Sequence, residues 1–198
     1  MLTRAVERVV QQARLTGESE RISRLTTLAE VSHKRLEREI RHIALGVGWH
    51  AASVDKVKNV PLPCGDIDAL LAKPLPDGCV LILLCEAKDV DMALYKTAGY
   101  AQYQKTLKHA QKQLEAKARW LLANWRDVCI ERFRTGFDSA SRVVLVKALV
   151  TRDYSPIEMT TGTFSVAIWA LKASLVGFVN KPFAHTFELV GDASCWLR

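Results

Sequence analysis

Residues Val80 to Cys85 read V-L-I-L-L-C, an apolar run with no polar interruption, and they lead directly into Glu86-Ala87-Lys88. A strand with one solvated face alternates apolar and polar residues. A continuous run is what a strand buried on both faces requires. Such a strand belongs in the interior of a sheet, and both faces of that sheet must be covered by another layer. Glu86 and Lys88 therefore fall at the end of a central strand, where a cleft opens. Side chains alternate along a strand, so Glu86 and Lys88 share one face and Ala87 takes the other.

The preceding segment extends this arrangement. Lys73-Pro74-Leu75-Pro76-Asp77-Gly78 combines two prolines with an Asp-Gly pair and marks a turn. Before it, Gly65-Asp66-Ile67-Asp68-Ala69-Leu70-Leu71 reads as a strand with Asp66 and Asp68 on one face and Ile67, Ala69 and Leu71 on the other. Pairing of the two strands as a hairpin brings three carboxylates and one ammonium together. Hard oxygen donors of this kind hold Mg²⁺ or Mn²⁺ through one or two carboxylates, with water and substrate phosphate completing the shell. The ion lowers the pKa of a bound water, and an adjacent lysine orients that water or stabilises the developing charge. Either short pattern alone is common on solvated strands. It is the coupling of E-x-K to a buried run that points to a metal-assisted hydrolysis of phosphodiesters.

The remaining elements frame this hairpin. Leu2 to Leu15 carries a helical stripe of Ala5, Val6, Val9, Val10 and Ala13 and ends at Thr16-Gly17, an arm for packing, dimerisation or a protein partner. A second helix is expected from Glu18 or Ser19 to Leu45, with Ile22, Leu25, Leu36, Ile40 and Ile43 on its apolar side. Trp49 to Val60 holds a first strand. After a loop at Asp89 to Met92, a long helix from Ala93 or Tyr95 to Trp125 presents Leu107, Gln111, Leu114, Ala118, Leu121 and Trp125 inward. Lys105, Lys108, Lys112 and Arg119 form an overlapping basic face, which beside a metal cleft suits a phosphate backbone. Arg142 to Val150 is another apolar strand, so the chain from Val80 to Val150 is a strand-helix-strand unit with a parallel pair. Thr163 to Val176 reads as the last helix, and Thr186 to Val190 as a short edge strand. The fold class is α/β: a mixed central sheet flanked by helices, with a helical extension over 1–31 and the main domain over 32–198.

Composition bounds the partners. The chain has 198 residues and a net charge of +7, which favours a polyanion as partner. Cys64, Cys79, Cys85, Cys129 and Cys195 form no C-x-x-C and are odd in number, as reduced thiols of a cytoplasmic protein are. No stretch is long and apolar enough for a membrane span.

The pattern D-I-D, a turn, then an apolar strand ending in E-A-K resembles the PD-(D/E)XK nuclease superfamily, whose fold is restriction-endonuclease-like. Gly65 to Leu71 is similar to the G-E-I-D-L motif of its Holliday-resolvase-like members. The resemblance spans roughly 32–151. It implies Asp68 and Glu86 as metal ligands, the Ala87 carbonyl as a neutral ligand, Lys88 as catalytic lysine, and DNA rather than RNA as substrate. No literal Pro-Asp is present, because Pro63 lies earlier and Gly65 precedes Asp66. Asp66 and Asp68 therefore both stand as ligands. In this superfamily a helix before the first strand often contributes one more acid, here Glu37 with Glu39 as alternate. A glutamine or lysine of the long helix also approaches the site in several branches, and Gln111 is the candidate. A nuclease-like module that binds nucleic acid or a protein without cutting is the alternative.

Overall fold

The computed structural model describes residues 19–89, 97–134, 136–137, 139–152, 163–180 and 187–190. The expected first helix over Leu2 to Leu15, together with Tyr95 and Cys195, lies outside them. Helix α1 spans Ser19–Gly46, and the expected boundary at 31/32 falls within it. It is followed by β1 (His50–Val54), a small hairpin of β2 (Lys56–Val57) and β3 (Val60–Pro61), β4 (Ile67–Pro74) and β5 (Cys79–Lys88). Helix α2 (Thr97–Phe133) then leads to β6 (Arg142–Thr151), β7 (Thr163–Ala167), helix α3 (Ile168–Asn180) and β8 (Phe187–Val190).

The main sheet has the order β1-β4-β5-β6-β7, with β8 also on β6. β1, β4 and β5 are antiparallel neighbours, whereas β5-β6 and β6-β7 are parallel, so the sheet is mixed. β7 pairs with the last residues of β6 and β8 with Val143 to Val146, which divides one edge of β6 between them. The protein is thus α/β with a mixed sheet flanked by helices, as the uninterrupted run in β5 demands.

Residue parity decides which layer each strand side chain meets. On one face Leu70, Ala72, Val80, Ile82, Leu84, Val143, Leu145 and Leu149 pack with Leu107, Leu114, Ala118 and Leu121 of α2. On the other, Ala69, Leu71, Leu81, Leu83, Cys85, Ala87, Val144 and Val146 pack with Leu36, Ile40 and Ala44 of α1 and Leu171 and Leu175 of α3. Asp68, Glu86 and Lys88 have the parity of the α2 face.

Three expectations require correction. Thr163–Ala167 is strand β7 rather than the start of the last helix, because its Thr-Phe-Ser-Val-Ala residues find an open edge on β6. The segment 49–60 holds three strands instead of one. Lys58 and Asn59 at φ 50° and 64° form the two-residue turn of the β2-β3 hairpin, the left-handed geometry that such hairpins need. Helix α2 also continues to Phe133, eight residues beyond Trp125, where Arg132 bonds to Asp55 and Lys56 and the Lys58 ammonium pairs with Asp127.

Candidate metal centre

The hairpin of β4 and β5 builds the site. Its register ends at Ala69 opposite Cys85, so the next positions outward are Asp68 and Glu86. There the ladder is continued by a side chain: the Ala87 backbone N–H donates to Asp68 Oδ2 at 2.8 Å. The N–H and C=O of one strand residue leave the strand on the same side, so the Ala87 carbonyl also faces β4. The Ala87 methyl is buried in the α1 layer.

Glu86 is 2% exposed. Lys88 Nζ lies 2.7 Å from its Oε1, and Lys117 Nζ lies 2.5 Å from its Oε2. Lys117, itself buried on α2, is also 3.9 Å from Asp68 Oδ1, so one ammonium spans both carboxylates. Burial, and next the charge of Glu86, push the Asp68 carboxyl above its ordinary value. The charge of Lys117, the Ala87 N–H bond and Lys88 oppose that rise without cancelling it.

Helix α1 closes the site from the opposite layer. Glu37 is buried, with Lys34 Nζ 3.0 Å from Oε1 and Arg41 Nη1 3.8 Å from Oε2. Arg41 also donates to the Asp68 carbonyl oxygen at 2.7 Å, which ties the helix to the start of β4. Glu39 is half-buried and lies elsewhere, 3.6 Å from Arg152 at the end of β6. Arg152 in turn makes a two-point contact with Asp89.

The structure therefore brings together Asp68, Glu86, Ala87, Lys88 and Glu37, and it separates the others. Asp66 is exposed and precedes the first residue of β4, so the expected strand parity does not reach it. Gln111 is half-buried and precedes Lys117 by six residues. At about 100° per residue this sets it roughly 120° around the helix from Lys117. Lys117 is the residue that sequence reasoning missed. Its signal was available: it lies three residues after Leu114 and four before Leu121, inside the apolar stripe, where a lysine must find a buried partner. Lys105, Lys108, Lys112 and Arg119 are exposed, but their stripe is centred roughly 150° around α2 from Lys117. They face outward from the helix, not into the carboxylate site. Besides Lys88 and Lys117, the cations beside the site are Lys34 and Arg41, both against Glu37. Tyr103 of α2 is buried in the core at 4% exposure.

The donor set fits a hard divalent ion. Two neighbouring carboxylates, one with its charge disfavoured by burial and by the other, are a place where added positive charge is stabilising. Thiolates take no part, since burial pushes the Cys85 thiol up and that of Cys129 to about 12.

The raised Asp68 value has a measurable consequence without metal. An unfolded aspartate titrates near 3.8. Because the folded value is higher, the folded state binds more proton in the intervening window, and stability falls as pH rises through it. Asp68→Asn keeps an acceptor for the Ala87 N–H and removes the charge. Metal-free Asp68→Asn should therefore lack this decline, and its stability relative to the wild type should rise with pH from about 4. Urea unfolding at a series of pH values in EDTA checks this. Parallel pH profiles for the two proteins contradict it.

No helix among the described residues is long and apolar enough to cross a membrane. Comparison of the chain with family models, curated proteins and solved structures finds no match.

Proposed function

We propose that this protein is a divalent-metal-dependent nuclease of the PD-(D/E)XK type, with a restriction-endonuclease-like arrangement and DNA as its substrate. One observation carries the reading: Asp68, Glu86 and Lys88 converge at the strand ends, with Asp68 bonded to the backbone of the E-A-K segment. Such convergence is what the resemblance requires, and it is what unrelated D-x-D and E-x-K patterns on separate surfaces lack.

Asp68, Glu86 and the Ala87 carbonyl would hold Mg²⁺ or Mn²⁺, with Glu37 in reach of Asp68. The ion supplies Lewis acidity and a more acidic bound water. The chain's own residues do the rest. Lys88, at 18% side-chain exposure, is the ammonium with access to solvent and is placed to donate to the attacked phosphate or orient the water. Lys117, nearly fully buried, holds Glu86 in position. Lys34 and Arg41 of α1 add cations beside Glu37, and the outer stripe of α2 adds a more distant basic surface.

A module that binds without cutting is favoured by one feature: both oxygens of Glu86 already accept from lysines. Nicking of supercoiled plasmid by the purified protein separates the readings. Cleavage with Mg²⁺ or Mn²⁺ that EDTA abolishes supports the nuclease, and binding without nicking under any divalent ion supports the silent module.

A further inference from the structure

His33 has no part in the site described so far, yet it lies one helical turn before Glu37 on the same side of α1. His33, Glu37 and Asp68 each offer one ligand atom, and these atoms all lie within 4.8 Å of one another. We infer that these three residues form a mixed nitrogen-oxygen position for a divalent transition ion, which binds Co²⁺-class ions in preference to Mg²⁺. The inference deepens the nuclease reading, because Asp68 belongs to both sites.

The spacing leaves room for an ion between the two side chains. His33 Nε2 is 3.8 Å from Glu37 Oε1, too long for a hydrogen bond. Two donors about 2.0–2.2 Å from a shared ion are separated by about 3.0–4.4 Å, depending on the angle between them. The observed separation falls within that range.

The supports are in place as well. Glu37 is 97% withdrawn from solvent as a side chain, given its 3% exposure, so its rotamer is held by packing. Arg41 donates to the Asp68 backbone carbonyl at 2.7 Å and approaches Glu37 Oε2 at 3.8 Å, which holds α1 against the start of β4. Lys34, the closest cation to Glu37, is 63% exposed and can move into water with little loss. His33 is 34% exposed, which leaves a solvent side for entry and for exchangeable water ligands.

Donor chemistry sets the preference. Carboxylate oxygens alone suit Mg²⁺, Ca²⁺ and Mn²⁺. An imidazole moves a site toward the later first-row ions, in the order Mn²⁺ below Co²⁺. His33 thus tunes which ion the Asp68 carboxylate shares.

The test is direct binding to the full chain. Co²⁺ is titrated by visible absorption and Mg²⁺ by calorimetry, for the wild type, His33→Ala and His33→Glu. His33→Ala should weaken Co²⁺ at least about tenfold, the scale on which even outer-shell partners act. Its Mg²⁺ affinity should stay within about twofold, since Mg²⁺ gains little from imidazole. His33→Glu restores an oxygen donor and should narrow the Co²⁺ to Mg²⁺ ratio. Unchanged Co²⁺ affinity in His33→Ala, or an equal loss for both ions, overturns the inference. Its fate is separable from that of the nuclease reading. His33-dependent Co²⁺ binding by a protein that cuts nothing sustains the site and ends the nuclease. Metal-dependent cutting with Co²⁺ affinity indifferent to His33 does the reverse.

Discussion

Lys88→Ala is expected to reduce metal-dependent plasmid nicking by about 10²–10³-fold, the usual loss when one positioned donor to a developing oxyanion is removed. The fold should survive. Lys88 lies at the last residue of β5 with its side chain partly open to solvent, and its removal still leaves Glu86 paired with Lys117. Asp68→Asn should produce a loss at least as large by a different route. It keeps the acceptor for the Ala87 N–H but takes away the charge that a cation needs. The two variants therefore separate the roles. Mg²⁺ affinity, measured by calorimetry, should fall in Asp68→Asn and should not fall in Lys88→Ala, which frees an oxygen of Glu86. Nicking by either variant within about tenfold of wild type, with unchanged unfolding midpoints, would remove these residues from the mechanism.

How the site was legible follows from where its signals lie along the chain. β5 announced itself because six consecutive apolar residues have few other uses, and the parity rule then placed Glu86 and Lys88 together. The turn at Lys73 to Gly78 set β4 against β5, which made Asp68 the neighbour of Glu86. Asp66 was indistinguishable by parity alone, because only the register of a finished hairpin shows that the strand begins at Ile67. β7 was hidden by its junction with α3. No glycine, proline or capping residue separates Ala167 from Ile168, so apolar residues of a strand and a helix merged into a single run. The β2-β3 hairpin is too short for periodicity to register. Its turn is made by Lys58 and Asn59 without the Asn-Gly pair that usually signals one. Lys117 is obscured in the sequence because Gln111 is the polar residue that fits the leucine stripe of this helix. The same helix carried a charged residue at a position flanked by Leu114 and Leu121, and only the buried Glu86 opposite explains it.

Lys117→Met provides the sharpest test of how that buried charge is held. Methionine fills much of the lysine volume, so packing in the α2 layer is retained while the ammonium is lost. Glu86 is then left almost wholly buried with Lys88 as its remaining partner. Removing one member of a buried pair generally destabilises by about 3–5 kcal/mol, because the other charge stays desolvated. For a domain of this size that corresponds to a fall in Tm of about 6–20 °C. Adding Glu86→Gln to Lys117→Met removes the stranded charge and should recover a large part of the loss, with a coupling on the order of 2–3 kcal/mol in the double-mutant cycle. A Lys117→Met protein within about 1 kcal/mol of wild type would mean that Lys88 alone satisfies Glu86. The cycle also bears on the metal. If a divalent ion occupies the space between Asp68 and Glu86, it supplies positive charge where the Lys117 ammonium now spans them. Saturating Mg²⁺ or Mn²⁺ should then raise the Tm of Lys117→Met more than that of the wild type, since in the wild type the ion must displace or crowd an ammonium already bonded to Glu86. An ion at about a hundredfold over its Kd contributes about 2.7 kcal/mol, enough to be read against the expected destabilisation. Equal stabilisation of both proteins would place the ion away from Glu86, toward the Glu37 side of Asp68.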